Sequence, residues 1–113
     1  DLDCYLDRGL TYDKLNKFEE AEADFRHYFK FNPENTAAQY QYALVEYHAK
    51  KYSEAEKMLN KVIEAESKNS KAYYYRALAR YELKKHDEAC QDIQMCKKLG
   101  DEESYNKMKK HCK

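Results

Sequence analysis

Tyr52-Ser53-Glu54-Ala55, at the middle of the chain, has a copy on each side: Phe18-Glu19-Glu20-Ala21 before it and His86-Asp87-Glu88-Ala89 after it. The three alanines are spaced 34 residues apart. Each copy reads as a short turn that opens a helix with a carboxylate and a small residue. In the central copy, Ser53 and Glu56 have the S-x-x-E spacing of a capping box, so this turn is expected to carry its own helix-start signal. A fixed period of roughly twenty to fifty residues marks a repeat array, and that reading precedes any other.

The period holds in several columns at once. Gly9, Ala43 and Ala77 keep it with residues too small to hold two helices apart, and Ala21, Ala55 and Ala89 supply the opposing small surface. Large residues keep it too: Tyr5, Gln39 and Tyr73; Phe25, Leu59 and Ile93; Tyr28, Val62 and Cys96. Within a unit the apolar positions fall three or four apart, as in Ala21, Phe25 and Tyr28, which is the stripe of an amphipathic helix. Alternation with period two is never sustained for the length of a strand. The fold class is therefore all-α.

These columns resemble the tetratricopeptide (TPR) repeat, whose pattern is an aromatic, a small residue and Tyr in a first helix. A turn follows, then Ala, a large apolar residue and a small or apolar one in a second helix, then Pro. The first unit gives Tyr5, Gly9, Tyr12, Phe18, Ala21, Phe25, Tyr28 and Pro33. In the second and third units the first-helix Tyr comes one place later, at Tyr47 and Tyr81, and the closing Pro is missing. The resemblance implies a right-handed superhelical stack of three helix-turn-helix units, at about 2–35, 36–69 and 70–103, in a single domain spanning 1–113.

Three units are about the minimum for a stack that buries its core between neighbours. With two Gly and one Pro, little interrupts the helices. Asn32-Pro33 stops the second helix, because Pro cannot continue one. Asn35-Thr36 and Asn69-Ser70 offer caps for the third and fifth helices, and Asp87 is expected to start the sixth. Gly100 suits a left-handed C-cap, and Asp101 then caps a seventh helix at about 102–112. That last helix turns Tyr105 and Met108 to the stack and Lys107, Lys109, Lys110 and Lys113 to water, as a capping helix requires.

Lysine plus arginine equals aspartate plus glutamate at 21 each. A general nucleic-acid or membrane-surface binder would need positive charge, so neither partner is expected. No apolar run approaches the length that spans a bilayer. The chain has neither an initiator Met nor a leader, so it reads as a mature product or an excised piece. Charge is uneven along it. Residues 1–25 hold eight acidic against three basic side chains, and 97–113 hold six Lys against three acidic ones. Solvated ends or head-to-tail association would both account for this.

In the family the first helices line a concave face that takes peptides or helices. The matching residues here are Leu6, Leu10, Tyr40, Gln41, Leu44, Tyr47, His48, Lys71, Tyr74, Tyr75, Leu78 and Tyr81, a groove lined by the rigid amphipathic ring that favours binding hot spots. Several of these tyrosines would serve equally to pack neighbouring first helices. Chaperone-binding members hold a C-terminal carboxylate with Lys, Asn and Arg at positions that correspond to Leu6, Leu10, Gln41, Lys71 and Tyr75. Only Lys71 matches, which argues against binding of that type. The resemblance implies a protein or peptide partner. The alternative is a structural or self-assembling spacer module that forms homo-oligomers.

Cys96 occupies an apolar column and reads as a buried thiol. From Cys90 the sixth helix climbs roughly 14 Å to Leu99, and the last helix returns about 15 Å to Cys112, which leaves the two level across an antiparallel pair. Either a disulfide or two free thiols fits. The ending Ala89-Cys90-x-Asp92, Leu99-Gly100-Asp101 and Cys112 also resembles the C-terminal end of many TPR proteins from Bacteroidetes-type bacteria. A disulfide would favour a periplasmic or secreted location; free thiols would favour the cytoplasm. Cys90, Cys112, His86 and His111 match no tight metal-ligand spacing. His27 and His48 are isolated on helices. With no phosphate loop, nucleophile elbow or paired-carboxylate cleft, no metal, cofactor or catalytic residue is assigned and no enzymatic activity is expected.

Overall fold

The computed structural model describes residues 2–112. The helices are α1 (Asp3–Lys14), α2 (Phe18–Phe29), α3 (Thr36–His48), α4 (Tyr52–Ala65), α5 (Ser70–Glu82), α6 (His86–Lys98) and α7 (Glu102–Met108), and a 3-10 turn (Lys109–His111) follows α7. Lys113 lies outside the described residues. The last α-helix stops short of its expected end at 112. The chain tightens there instead, with Cys112 bonded to Cys90 of α6.

Helix starts alternate between two solutions. Asn35, Asn69 and Asp101 accept from the amides of Ala38, Ala72 and Ser104 at 3.1–3.2 Å, as their side-chain chemistry predicts. The second helices do without a side-chain cap, which corrects the capping box. Tyr52 already opens α4, so Ser53 lies inside its first turn, and Glu56 is drawn away to Arg80 and Lys85. Likewise His86, not Asp87, opens α6. What replaces the box is backbone. Asn16, Lys50 and Lys84 turn left-handed at φ 61, 64 and 67°, and the next amides (Lys17, Lys51, Lys85) each return 2.8 Å to Tyr12, Glu46 and Arg80 carbonyls. Gly100 takes its C-cap role at φ 87°.

Successive helices pack as pairs, α1 on α2, α3 on α4 and α5 on α6. Along the stack α1 touches α3, α3 touches α5 and α5 touches α7, whereas the backbones of α2, α4 and α6 do not come close to one another among the described residues. First helices converge and second helices fan out. The stack, 46 × 25 × 20 Å, therefore curves with the first helices on its inner side.

The small columns are where the pairs close. Ala21, Ala43, Ala55, Ala77 and Ala89 are buried, as are their large partners Phe25, Leu59 and Ile93. Size is exchanged across the first pair: a Cβ added to Gly9 would sit 2.9 Å from the Phe25 ring. Gly faces Phe here, where Ala faces Leu or Ile in the other units. Gly9→Ala gains helix propensity of about 1 kcal/mol but overpacks the ring by about 1–3 kcal/mol. We expect a net loss in the wild type, and the same change in a Phe25→Leu background to be about 1–2 kcal/mol better tolerated. Urea unfolding of the four variants measures this coupling; additive effects would contradict it.

Candidate partner-binding face

On the inner side the tyrosines meet. Tyr75 of α5 is the hub: its ring is 6.2 Å from Tyr40 and 6.1 Å from Tyr47, both of α3, and 5.2 Å from its neighbour Tyr74. Tyr47 continues the row to Tyr52 at 5.6 Å. The contacts are edge-to-face or nearly so, the arrangement that opposed ring quadrupoles favour. All are half-buried. Burial, then Tyr75, pushes the Tyr40 phenol up to about 12, and burial likewise raises Tyr47 and Tyr74. These are neutral hydroxyls at any physiological pH.

The other expected groove residues divide. Leu6 and Leu10 pack on the buried cluster of Ala21, Phe25, Tyr42 and Val45. Gln41 and Leu44 are half-buried. Leu78, Tyr81 and part of Tyr74 sit with Ala77, Ile93 and Met108, beside Tyr105 and Cys112. The Tyr81 ring is held between His86 at 4.8 Å and His111 at 4.7 Å, so the C-terminal segment covers that end of the face. His48 is exposed and bridges to α1, its Nδ1 lying 3.0 Å from an Asp13 carboxylate oxygen.

Lys71 is already engaged. Its Nζ donates to Ser104 Oγ at 3.0 Å and lies 3.4 Å from Asp101 and 3.5 Å from Glu103. Asp101 in turn accepts from Ser104 and Ser70. Burial raises the Asp101 carboxyl, but these hydrogen bonds and Lys71 outweigh it and hold the group at about 2. Sequence spacing gave no sign of this, because the residues that neutralise Lys71 come from the capping helix.

Cys90 and Cys112 are joined by a disulfide that ties the chain end to α6, with Cα atoms 5.5 Å apart. Cys96 is buried, donates to the Ser70 carbonyl, and has its thiol pushed up to about 11 by burial. Cys4 is exposed.

A family model described as "Tetratricopeptide repeat" matches residues 14–81, and a second of the same description matches 71–99. The chain belongs to the tetratricopeptide repeat family. No curated protein matches it. Among solved structures it is similar to the first TPR of Spaghetti (RPAP3) bound to the HSP90 peptide SRMEEVD, at 26% identity and TM-score 0.87, covering 97% of this chain and 89% of that one. It is similar as well to the second TPR domain of human RPAP3 in complex with the HSP70 peptide SGPTIEEVD, at 27% identity and TM-score 0.85, covering 100% and 99%. The second TPR of Spaghetti, bound to SRMEEVD, is 30% identical with TM-score 0.79, covering 87% and 91%. Among the described residues of this TPR chain, no helix is long and apolar enough to cross a membrane.

Proposed function

We propose that this TPR stack is a protein-recognition module that holds an extended or helical segment of a partner on its inner face. The observation that carries the reading is the tyrosine wall. Tyr40, Tyr47, Tyr74 and Tyr75 brace one another across two helices, so their rings are fixed before a partner arrives. Preorganised rings lose little entropy on binding and present both apolar area and a hydroxyl. Peptide-bound TPR domains among the similar structures support the same role.

The partner segment differs from those peptides, which end in Glu-Glu-Val-Asp. Of Leu6, Leu10, Gln41, Lys71 and Tyr75, only Lys71 is a cation, and the capping helix holds its ammonium. Leu78 and Tyr81 act as support for the wall, and Tyr40 with Tyr75 forms its working centre. Affinity capture with wild type and the Tyr40→Ala, Tyr75→Ala double variant tests this. A partner retained by the wild type and lost by the variant, with circular dichroism unchanged, is the expected result. Identical captures, together with concentration-dependent light scattering insensitive to both changes, would favour a self-assembling spacer instead.

A further inference from the structure

At the start of the stack, α1 repeats a face that is covered two units later. Tyr5, Arg8 and Lys17 stand where Tyr73, Arg76 and Lys85 stand in the third unit, with Tyr12 in place of Arg80. There α4 lies on α5 and two of its side chains meet the cations: Asn60 accepts from Arg76 Nη1 at 3.0 Å, and Glu56 from Lys85 at 2.9 Å. The lysine bond recurs one unit earlier, where Lys51 donates to Glu22 of α2 at 2.7 Å. Lys17 has no such acceptor. Its side chain is exposed, and its ammonium makes no hydrogen bond or ion pair among the described residues. Arg8 directs Nε and Nη2 to Asp24, as Arg76 does to Asp92, but its Nη1 has no acceptor among the described residues. The small column agrees: Cys4 is exposed, whereas Ala38 and Ala72 in its place are buried. Charge at this end sorts by column. Asp3, Asp7 and Asp13 of α1 keep the columns of Lys71, Tyr75 and Tyr81 on the inner face, and Asp24 is held by Arg8. Glu20 follows Lys17 as Glu54 and Glu88 follow Lys51 and Lys85, which bond their glutamates nonetheless.

We infer that the start of the stack is a second docking surface, separate from the tyrosine wall, for an amphipathic helix of another protein that lies on α1 as α4 lies on α5. Its glutamate meets Lys17, and an asparagine one turn further on meets Arg8. Its apolar side chains cover Cys4 as Leu59 and Val62 pack with Ala72. The register of the repeat argues this occupant, because a face built to the same pattern accepts a helix of the same pattern. A second copy of the chain does not supply that helix. Its Glu22 and Glu56 are already bonded within their own stack, and in α6 their column holds Cys90, tied to Cys112. With α7 packed on α6, the far end of the stack is closed.

The sequence of α4 itself is the probe. A synthetic peptide of Tyr52–Ala65, held helical by a hydrocarbon staple because so short a helix is marginal alone, is titrated into the folded chain and followed by amide NMR shifts. The amides of Cys4, Arg8, Thr11 and Lys17 should move while those of Tyr40 and Tyr75 stay in place. Lys17→Glu, which breaks no bond within the stack, should keep the helical circular dichroism. It should weaken the peptide about ten-fold, since it turns an attraction into a repulsion. A peptide carrying Glu56→Lys should recover most of that loss on the Lys17→Glu chain. Shifts centred on Tyr40 and Tyr75 would place the helix on the inner face and overturn the inference. Equal binding by the Lys17→Glu chain, or no saturable shift at millimolar peptide, would overturn it too. Sedimentation without peptide covers the remaining occupant: a dimer that Lys17→Glu dissolves would give the face to a second copy instead of a partner helix.

Discussion

Asp92→Ala should lower the free energy of unfolding by about 3–5 kcal/mol, whereas Asp24→Ala, the same position two repeats earlier, should lower it by about 1 kcal/mol or less. The local geometry is nearly identical. Arg8 reaches Asp24 with Nε at 2.9 Å and Nη2 at 2.7 Å; Arg76 reaches Asp92 at 3.0 and 2.7 Å through the same atoms. What differs is the cover. Arg8 lies on the open end of the stack with its side chain 57% exposed, so losing Asp24 returns it to water. Arg76 is 15% exposed under α4, where its Nη1 also donates to Asn60, and Arg80 adds a third bond to Asp92 at 3.0 Å. Removing Asp92 leaves two guanidinium groups facing each other with their shared anion gone. Urea titrations followed by helical circular dichroism read both changes. Equal costs would mean that burial does not set the strength of these pairs.

This contrast also shows what the sequence conceals. The repeat, the alanine columns and the Asn35 and Asn69 caps depend on residue type at a fixed spacing, so one pass along the chain finds them. The charged ladder also keeps the period. Glu22 and Glu56 recur, as do Lys51 and Lys85, and each lysine bonds its glutamate at 2.7–2.9 Å. That signal was available, but exposed and buried charges look alike in sequence. Which of them are buried is decided by whether another repeat lies on top. The tyrosines are ambiguous for the same reason. Tyr40 and Tyr81 fall in neighbouring inner-face columns, yet one meets Tyr75 and the other is enclosed by His86 and His111 of the C-terminal region. The Ser53 capping box failed because a left-handed residue at Lys50 starts the helix one residue before the serine.

Glu46 interrupts the ladder with a charge of the wrong sign. It stands where Arg80 stands in the third unit, and Glu22 stands where Glu56 does. Arg80 bonds Glu56 at 2.7 Å; burial raises Glu56, but Arg80 and Lys85 outweigh it and hold its carboxyl below the ordinary range. Glu46 instead faces a second carboxylate. Both are buried, and the Oε1 atoms of Glu22 and Glu46 have no hydrogen-bond partner among the described residues. Burial first, then Glu22, pushes Glu46 up to about 8. A carboxyl whose folded pKa lies above its unfolded value binds more protons when native. Its contribution is therefore most favourable at low pH and is lost as pH rises from about 4.5 to about 8. Glu46→Gln removes the charge and keeps the shape. It should add about 2–4 kcal/mol at pH 8 and almost nothing near pH 5, flattening the pH profile of unfolding. Glu46→Arg should also stabilise at pH 8, by adding to Glu22, which meets Lys51 at 2.7 Å and Arg26 only at 3.6 Å, the close guanidinium that Glu56 has in Arg80. A gain for Gln that is the same at both pH values would mean that packing, not protonation, is what Glu46 disturbs. A loss for Arg would mean that the space beside Glu22 is too small to repeat the third unit's pairing.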